Sequence, residues 1–260
     1  MNKEFLLEDA EVAKFIVNGF HLIEPSLPMG LNESIASQLD ALDYNPGDAI
    51  TDVVPALTKV IENEEIRGAL ISLLGNQFEL QSHRHWHCKP PQSKHMNWHQ
   101  DGINNRDTII NRFLALYYPT DITADMGPTI IVPGTQFRNA PTDRMAHYSN
   151  IRGQIPLTVK AGTVALTHYD LWHATSANTS KQNRHMIKFL FRRTRHNDKP
   201  SWNHDPKNTN KATNWNSRAK AEDPNNILSF SNPLQVSQSD HYKEREIRKK
   251  NWNYLLGNIR

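Results

Sequence analysis

The chain has 260 residues, of which 37% are hydrophobic and 22% are charged, and its formal net charge is +3. This composition favours one folded domain with a substantial core and excludes a largely disordered chain. The positive balance is too small to predict a nucleic-acid partner. A single cysteine, Cys88, excludes an intramolecular disulfide framework, and we expect it to have a packing role.

The first residues and the hydropathy pattern predict a protein without a secretory signal or a membrane helix. The sequence MNKEFLLEDAEVAKF has acidic residues where a secretory signal needs a continuous apolar stretch. No window approaches the roughly 20 apolar residues that a membrane helix needs. We therefore expect a cytoplasmic protein that makes no membrane contact.

Residues 1–75 are predicted to be helical, apart from one short strand. A first amphipathic helix is expected to end at Asn18-Gly19. Asn32 is expected to cap a second helix, because its side chain can accept a hydrogen bond from the first turn. A third stretch with helical spacing runs from Leu57 to Leu74 and ends at a glycine, and GFHLIEP at 19–25 predicts the strand.

From Phe78 the periodicity changes to two, which is the periodicity of a strand. One face of this strand carries Phe78, Leu80 and Trp86, and the other carries Gln77, Glu79, Gln81, His83, His85 and His87. Further strands are predicted at 109–118, 129–132, 155–160, 163–168 and 185–193. Helices followed by many short strands predict a mainly β fold, a sandwich or jelly roll with a helical flank.

The last part of the chain has a different composition. Residues 195–240 are rich in Asn, Lys, Ser and Pro and predict a loop-rich segment, which HYKEREIRKKNWNYLLG at 241–257 follows as a final helix. We expect a single domain over residues 1–260. It has a helical flank at 1–75, a jelly-roll core at 76–194 and a loop-rich extension with a terminal helix at 195–260.

The segment Trp98-His99-Gln100-Asp101-Gly102 carries the first part of a candidate metal site. Residues two apart in an extended segment point the same way, so His99 and Asp101 can converge on one ion. Two histidines and one carboxylate on one face of Fe(II) leave positions open for a co-substrate and oxygen. By itself, His-x-Asp is a weak signal.

The segment from Gly162 to Arg184 supplies the other parts. His173 lies eleven residues after Gly162, and Arg184 lies eleven residues after His173. In an antiparallel barrel these two strand positions can lie side by side, and an arginine there can bind a dicarboxylate through its planar fork. Thr175 can add a hydroxyl donor to the same carboxylate. His168 is nearby, but both spacings favour His173 as the metal ligand.

With MGPTIIVPGTQ at 126–136 and HRHWHCKPP at 83–91, these segments resemble the phytanoyl-CoA dioxygenase family of iron(II)- and 2-oxoglutarate-dependent oxygenases. The resemblance spans about residues 78–194 and implies a double-stranded β-helix, the cupin-like jelly roll. It implies Fe(II) on His99, Asp101 and His173, and 2-oxoglutarate with its distal carboxylate on Arg184 and Thr175. Halogenases that resemble this family replace the carboxylate ligand by a small residue, so Asp101 argues against halogenation.

The resemblance also implies further contacts around the metal motif. His85 and Tyr117 are candidate co-substrate contacts, although core packing is the alternative for Tyr117. Candidate substrate contacts are His83, His87, Trp98, Gln100, Asn104 and Lys188. The alternative for the histidines is a hydrogen-bonded structural row. Residues 103–108 are expected to form a loop that covers the site.

The expected reaction is hydroxylation of an unactivated C–H bond of a small metabolite by O2, with 2-oxoglutarate converted to succinate and CO2. Desaturation or oxidative ring closure by the same chemistry is the alternative, and a non-catalytic, metal-bearing jelly-roll binding protein is the alternative from another class. The positive balance and Lys188, on the same predicted strand face as Arg184, favour an anionic substrate. A nucleic-acid substrate would need a basic groove that the tail alone does not supply. Nothing in the sequence indicates an oligomeric state.

Overall fold

The computed structural model describes residues 3–102, 108–138, 142–207 and 238–258. The described helices are α1 (Asp9–Asn18), α2 (Leu31–Asp40), α3 (Ile50–Val53), α4 (Leu57–Ile61), α5 (Glu64–Leu74), α6 (Thr142–Met145) and α7 (Gln238–Leu255). The described strands are β1 (Phe20–Ile23), β2 (Phe78–Lys89), β3 (Met96–His99), β4 (Arg112–Tyr117), β5 (Thr129–Ile131), β6 (Ile155–Pro156), β7 (Val164–His168), β8 (His173–Thr175) and β9 (Arg184–Arg193). None of these helices is long and apolar enough to cross a membrane.

The strands form two antiparallel sheets. The larger has the order β1-β7-β4-β9-β2 and the smaller has the order β3-β8-β5-β6. Strands that are far apart in the sequence are neighbours in both sheets, as in a jelly roll rather than a simple meander. The prediction of a mainly β fold with flanking helices is confirmed.

Alternation along β4 separates the helix-facing core from the space between the sheets. Phe113, Ala115 and Tyr117 pack against the helical flank, whereas Leu114 and Leu116 belong to a cluster with apolar side chains of both sheets. Strand β9 is buried along nearly its whole length, because helices cover one of its faces and the smaller sheet lies over the other.

The cap of α2 differs from the prediction. The helix begins at Leu31, and its N-cap is Gly30 with φ of 75°, a left-handed conformation that suits glycine. Asn32 therefore lies inside the first turn instead of capping it. Its Oδ1 accepts a hydrogen bond of 2.6 Å from the hydroxyl of Tyr117, so this side chain ties α2 to the larger sheet.

The predicted third helix is divided into α4 and α5. Oδ1 of Asn63 accepts hydrogen bonds from the backbone N–H groups of Glu65 and Ile66, at 3.0 and 3.3 Å. Asn63 therefore caps a new helix inside a stretch whose apolar spacing is continuous. The predicted end of this stretch at Gly75, with φ of 88°, is confirmed.

The predicted strands agree with the structure in order but not always in length. Strand β4 covers only the middle of the predicted segment 109–118, and β6 covers two residues of the predicted segment 155–160. Strand β8 was not predicted as a separate element. The alternating faces predicted for β2 are confirmed, because Phe78, Leu80 and Trp86 join the helix-facing core.

The terminal helix α7 docks through a buried amide as well as through apolar side chains. Asn251 has no exposed surface. Its Oδ1 accepts a hydrogen bond of 2.8 Å from Ile110 N–H, and its Nδ2 donates one of 2.7 Å to the Thr108 carbonyl. Trp252 and Leu255, both buried, complete the contact with the core. Helix α7 thus holds the chain where it enters β4.

We expect Asn251→Leu to lower the free energy of unfolding by about 2–4 kcal/mol, because two buried backbone groups lose their partners at about 1–3 kcal/mol each. Urea unfolding followed by tryptophan fluorescence measures this change. The matched control is Asn253→Leu on the same helix. Its side chain makes no hydrogen bond within the described ranges, so its effect should stay below about 0.5 kcal/mol. Equal effects of the two substitutions would contradict the docking role of Asn251.

Candidate metal and co-substrate site

Three predicted ligand residues lie together in a cavity between the two sheets. The ligand atoms of His99, Asp101 and His173 all lie within 4.8 Å of one another, and we refer to these residues as the His–Asp–His cluster. Nε2 of His173 is 3.4 Å from Asp101 Oδ2, and Nε2 of His99 is 4.0 Å from Asp101 Oδ1. Within the described ranges, no other group of three or more His, Cys, Asp or Glu side chains could hold a metal ion.

The pairing of β3 with β8 brings the two histidines together. His99 and His173 are Cα partners across this antiparallel ladder, and their ring centroids are 4.1 Å apart. Asp101 follows β3 and reaches the same side as His99, as the two-residue spacing predicts. The cluster therefore results from one short ladder and one sequence motif.

Backbone carbonyls orient both imidazoles of the cluster. Nδ1 of His99 is 2.9 Å from the Asn97 carbonyl oxygen, and Nδ1 of His173 is 2.9 Å from the Leu171 carbonyl oxygen. A carbonyl only accepts, so each Nδ1 carries a proton and donates it. In the neutral form of such a ring, Nε2 keeps its lone pair. This tautomer suits an imidazole that binds a metal through Nε2.

The Asp101 carboxylate is the one negative charge of the cluster, and a buried lysine forms an ion pair with it. Nζ of Lys188 donates a hydrogen bond of 2.6 Å to Asp101 Oδ2. Burial acts to raise the pKa of Asp101, but the neighbouring His173 and Lys188 outweigh it and lower this pKa to about 2. Burial lowers the pKa of His173 to about 4. At neutral pH the donor set includes a carboxylate and a neutral imidazole, the forms in which these groups bind divalent metals.

A buried arginine lies on the wall of the same cavity. Arg184 is only 2% exposed, and its Nε and Nη1 atoms have no hydrogen-bond partner among the residues that the structure describes. It begins β9 opposite Lys89, and the hydroxyl-bearing side chains of Thr175 and Thr129 line the cavity with it. A buried guanidinium without partners is costly in free energy, so its position indicates an anionic ligand.

The cavity has room for a short dicarboxylate between Arg184 and the cluster. Its volume is about 340 Å³, near the lower end of the range for small-molecule sites. Arg184 and Lys188 lie on the same face of β9, about 13 Å apart along the strand. Because Lys188 contacts Asp101, the cluster lies toward the Lys188 end of this row. The donors present therefore fit both a metal ion and a dicarboxylate.

A family model, phytanoyl-CoA dioxygenase (PhyH), matches residues 35–186, which is more than half of the chain. The chain belongs to the phytanoyl-CoA dioxygenase family. The predicted family and the predicted class, an iron(II)- and 2-oxoglutarate-dependent dioxygenase, are confirmed.

Solved structures with the same fold support the jelly-roll prediction. HygX from Streptomyces hygroscopicus with iron bound is 18% identical, with a TM-score of 0.60 over 75% of this chain and 90% of HygX. EctD from S. alaskensis with 2-oxoglutarate and 5-hydroxyectoine is 16% identical, with a TM-score of 0.58 over 75% of this chain and 80% of EctD. The carbocyclase SnoK from nogalamycin biosynthesis is 18% identical, with a TM-score of 0.55 over 72% and 84%. These likenesses confirm the fold.

Two mycobacterial proteins share part of the sequence. They are the uncharacterised proteins Mb1539 of Mycobacterium bovis and Rv1501 of Mycobacterium tuberculosis, each 30% identical over 97 residues. The matched segment is 37% of this chain and 34% of each relative. The match thus spans about a third of the length of these curated relatives.

In this member of the dioxygenase family, the three histidines of β2 lie on the cavity wall. His83, His85 and His87 line the cavity together, on the strand face that the sequence predicts. His85 lies opposite Lys188 in the ladder with β9. Burial and then the charge of Lys188 lower the pKa of His83, and the same causes lower that of His87 to about 3. Both imidazoles are therefore neutral at pH 7.

Tyr117, which the sequence suggests as a co-substrate contact, is not among the residues that line the cavity. Its ring packs in the helix-facing core, and its hydroxyl donates to Asn32. Successive side chains of a strand point to opposite faces, so the neighbouring Leu116 lines the cavity instead. Tyr117 is therefore a core residue, as the alternative prediction from the sequence states.

Trp98 and Gln100 also face away from the cavity, although the sequence suggested both as substrate contacts. Trp98 is buried in a separate apolar cluster. Nε2 of Gln100 donates to the carbonyl oxygens of Arg138 and Asp170, at 3.0 and 2.8 Å, and so anchors the metal motif to two loops. Asn104 lies outside the described residues, as does most of the predicted covering loop at 103–108.

Sequence reasoning missed some of the site. The sequence does not indicate that Lys188, a predicted substrate contact, also donates a hydrogen bond to Asp101 of the cluster. Thr129 and Met186 line the cavity without having been singled out. Thr129 lies in the MGPTIIVPGTQ segment that carried the family resemblance, and Met186 shares the alternating face of Arg184. Both positions can therefore be recognised from the sequence alone.

His168, the other histidine weighed as a ligand, is buried away from the cluster. Its Nδ1 accepts a hydrogen bond of 3.0 Å from the backbone N–H of Asp170. Burial lowers its pKa from 6.5 to about 4. Because the folded-state pKa is depressed, unfolding takes up a proton between about pH 6.5 and 4. The stability of the metal-free protein therefore decreases as the pH falls through this window.

We expect His168→Asn to reduce this pH dependence by up to about 1.4 kcal/mol per pH unit, the contribution of one proton. Asparagine keeps an acceptor for Asp170 N–H but does not titrate. Urea unfolding of the chelator-treated protein at pH 7, 6 and 5 measures the slope. The exposed His147→Asn serves as the control and should leave it unchanged. An unaltered slope in His168→Asn would show that this histidine is not held neutral.

Proposed function

We propose that this chain uses iron(II) and 2-oxoglutarate to hydroxylate an unactivated C–H bond of a small metabolite. One observation carries the proposal: a single cavity holds both the His–Asp–His cluster and the unpaired, buried Arg184. A metal site with a purely structural role would not need a second, cationic binding group nearby. An oxygenase that binds a dicarboxylate co-substrate beside its metal does need one.

The donors of the cavity divide between the two bound groups. Nε2 of His99, Nε2 of His173 and the Asp101 carboxylate would hold iron(II) on one face. Arg184 would bind the distal carboxylate of 2-oxoglutarate as a bidentate pair, with the Thr175 hydroxyl as an additional donor. When bound, iron and 2-oxoglutarate supply the oxidising chemistry by oxidative decarboxylation of 2-oxoglutarate with O2.

Other side chains of the cavity orient these groups and exclude water. Lys188 holds the Asp101 carboxylate through Oδ2, which restricts its rotation. Leu116 and Met186 give the wall an apolar surface between the charged groups. An apolar lining excludes water and strengthens the electrostatic interactions inside the cavity.

A small-molecule substrate is supported by the cavity and by the structural neighbours. The volume of about 340 Å³ suits a compact ligand rather than a polymer. HygX has been crystallised with nickel, 2-oxoglutarate and hygromycin B, and EctD with 2-oxoglutarate and 5-hydroxyectoine. We infer by analogy that this chain also acts on a free metabolite. Hydroxylation is the simplest outcome of the shared chemistry.

Anaerobic titration of the protein with iron(II) and 2-oxoglutarate tests the proposal. We expect a weak visible charge-transfer band in the wild-type protein and its loss in Asp101→Ala, because iron is no longer held. In Arg184→Ala we expect iron binding to persist. The affinity for 2-oxoglutarate should fall by about 100-fold or more, because a buried charge pair is broken. Admission of O2 should then release succinate from the wild-type complex only.

Two exposed residues provide matched controls for this titration. Arg192→Ala removes an arginine from the exposed part of the same strand, and Asp121→Asn removes a surface carboxylate that pairs with Lys160. Both should behave as wild type. If the wild-type protein binds iron but gives no band with 2-oxoglutarate, the chain is instead a metal-bearing binding protein without this activity.

A further inference from the structure

The end of the cavity beyond Lys188 has no role in the proposed binding of iron and 2-oxoglutarate. Those two groups take up the part between the cluster and Arg184. His85 lies directly opposite Lys188 in the ladder between β2 and β9. The His83 ring lies 4.3 Å from the His85 ring, and His83 is two residues further along β2 from the end that faces Arg184. These two imidazoles therefore form a wall on the side of the cluster away from the co-substrate anchor.

An irregularity in β2 builds this wall. Between Leu80 and Arg84 the strand advances four positions while β9 advances two, which is a β-bulge. The carboxylate of Asp48 accepts a hydrogen bond of 2.8 Å from Arg84 N–H and so holds the bulge in place. Tyr169 packs edge-on against His83, at 6.2 Å between ring centroids. Bulges are common beside active sites, where they direct side chains into the site.

More cationic than anionic side chains line the cavity beside the wall. Three cationic side chains, Lys89, Arg184 and Lys188, line the cavity, and Asp101 is its one acidic residue within the described ranges. Iron(II) and the 2-oxoglutarate dianion would leave this balance unchanged, because their charges cancel. Besides burial, the charge of Lys188 lowers the pKa of His83, as a positive surrounding does. Such a cavity favours an anion over a cation.

The wall also has an unused hydrogen-bonding atom. Nε2 of His83 is buried and has no partner among the described residues. Buried polar atoms in folded proteins are nearly always hydrogen-bonded to protein, water or ligand. A neutral imidazole can donate from this nitrogen, and the Lys188 ammonium has three donors, of which Asp101 takes one.

We propose that His83, His85 and Lys188 form a subsite for an anionic oxygen group of the primary substrate, either a carboxylate or a phosphate. The inference rests on the proposed function, because that function assigns the Arg184 end to 2-oxoglutarate. The Lys188 ammonium then donates hydrogen bonds to two negative groups, the Asp101 carboxylate and the anionic group of the substrate. The anion fixes one end of the substrate and leaves the carbon to be oxidised above the His–Asp–His cluster.

Calorimetric titration of the protein loaded with nickel(II) and saturating 2-oxoglutarate tests the subsite, with inorganic phosphate and acetate as separate probes. We expect one of these anions to bind at a site that a tenfold higher concentration of 2-oxoglutarate does not weaken. Stronger binding of acetate would identify a carboxylate substrate, and stronger binding of phosphate a phosphorylated one. Competition with 2-oxoglutarate would place the anion at Arg184 and overturn the inference.

Variants of His83 make the test specific. His83→Leu removes the donor and should weaken anion binding about tenfold, the effect of one hydrogen bond to a charged group. His83→Gln places an amide donor near the same point and should restore part of the affinity. The exposed His147→Asn should bind as wild type. Anion binding that is absent, or equal in wild type and His83→Leu, would also overturn the inference.

The iron(II)–2-oxoglutarate band, measured on the same preparations, separates the two proposals. A normal band in His83→Leu together with weakened anion binding supports the subsite. A normal band in the wild type without a separate anion site refutes the subsite and leaves the proposed function standing. If the wild-type band is absent, both proposals fail together.

Discussion

The contact between the Lys188 ammonium and the Asp101 carboxylate, 2.6 Å long, joins the two sheets at the centre of the site. Asp101 follows a strand of the smaller sheet, whereas Lys188 belongs to an interior strand of the larger one. The side chain of Lys188 is 6% exposed and that of Asp101 is 13% exposed, and removing one partner of an ion pair that is largely shielded from water is strongly destabilising. The pair therefore fixes the metal motif relative to β9, and with it the separation between the cluster and Arg184.

The parts of the site that local geometry determines could be predicted from the sequence. The two-residue period of an extended chain places His99 and Asp101 on one side, and the same period places the β2 histidines in one row. Tyr117 shows the limit of this reasoning. The alternation was correct, but which face the helices cover is decided by the packing of the whole flank, and the tyrosine belongs to that face.

Contacts that cross the fold could not be predicted, because no short-range pattern encodes them. The partner of Lys188 depends on how the two sheets face each other. Asn251 and Ile110 are 141 residues apart in the sequence, and only the docking of the terminal helix brings them into contact. Gln100 lies between two cluster residues, where the sequence suggests a substrate contact, yet the loops that it binds come from distant segments. In each case a polar side chain forms a hydrogen bond with a backbone or charged group from a distant part of the sequence, and only the tertiary structure brings the two together.

Strand β2 is at the edge of the larger sheet, while β9 is flanked on both sides. A substitution on an edge strand disturbs one neighbouring ladder rather than two, so the histidine wall can change at less cost to the fold than the row that carries Arg184 and Lys188. Evolution could thus alter substrate choice in this lineage by mutating β2, while Arg184 on the interior strand β9 is inherited intact. The sheet order thus separates the co-substrate anchor on β9 from the histidines of β2, which are freer to diversify.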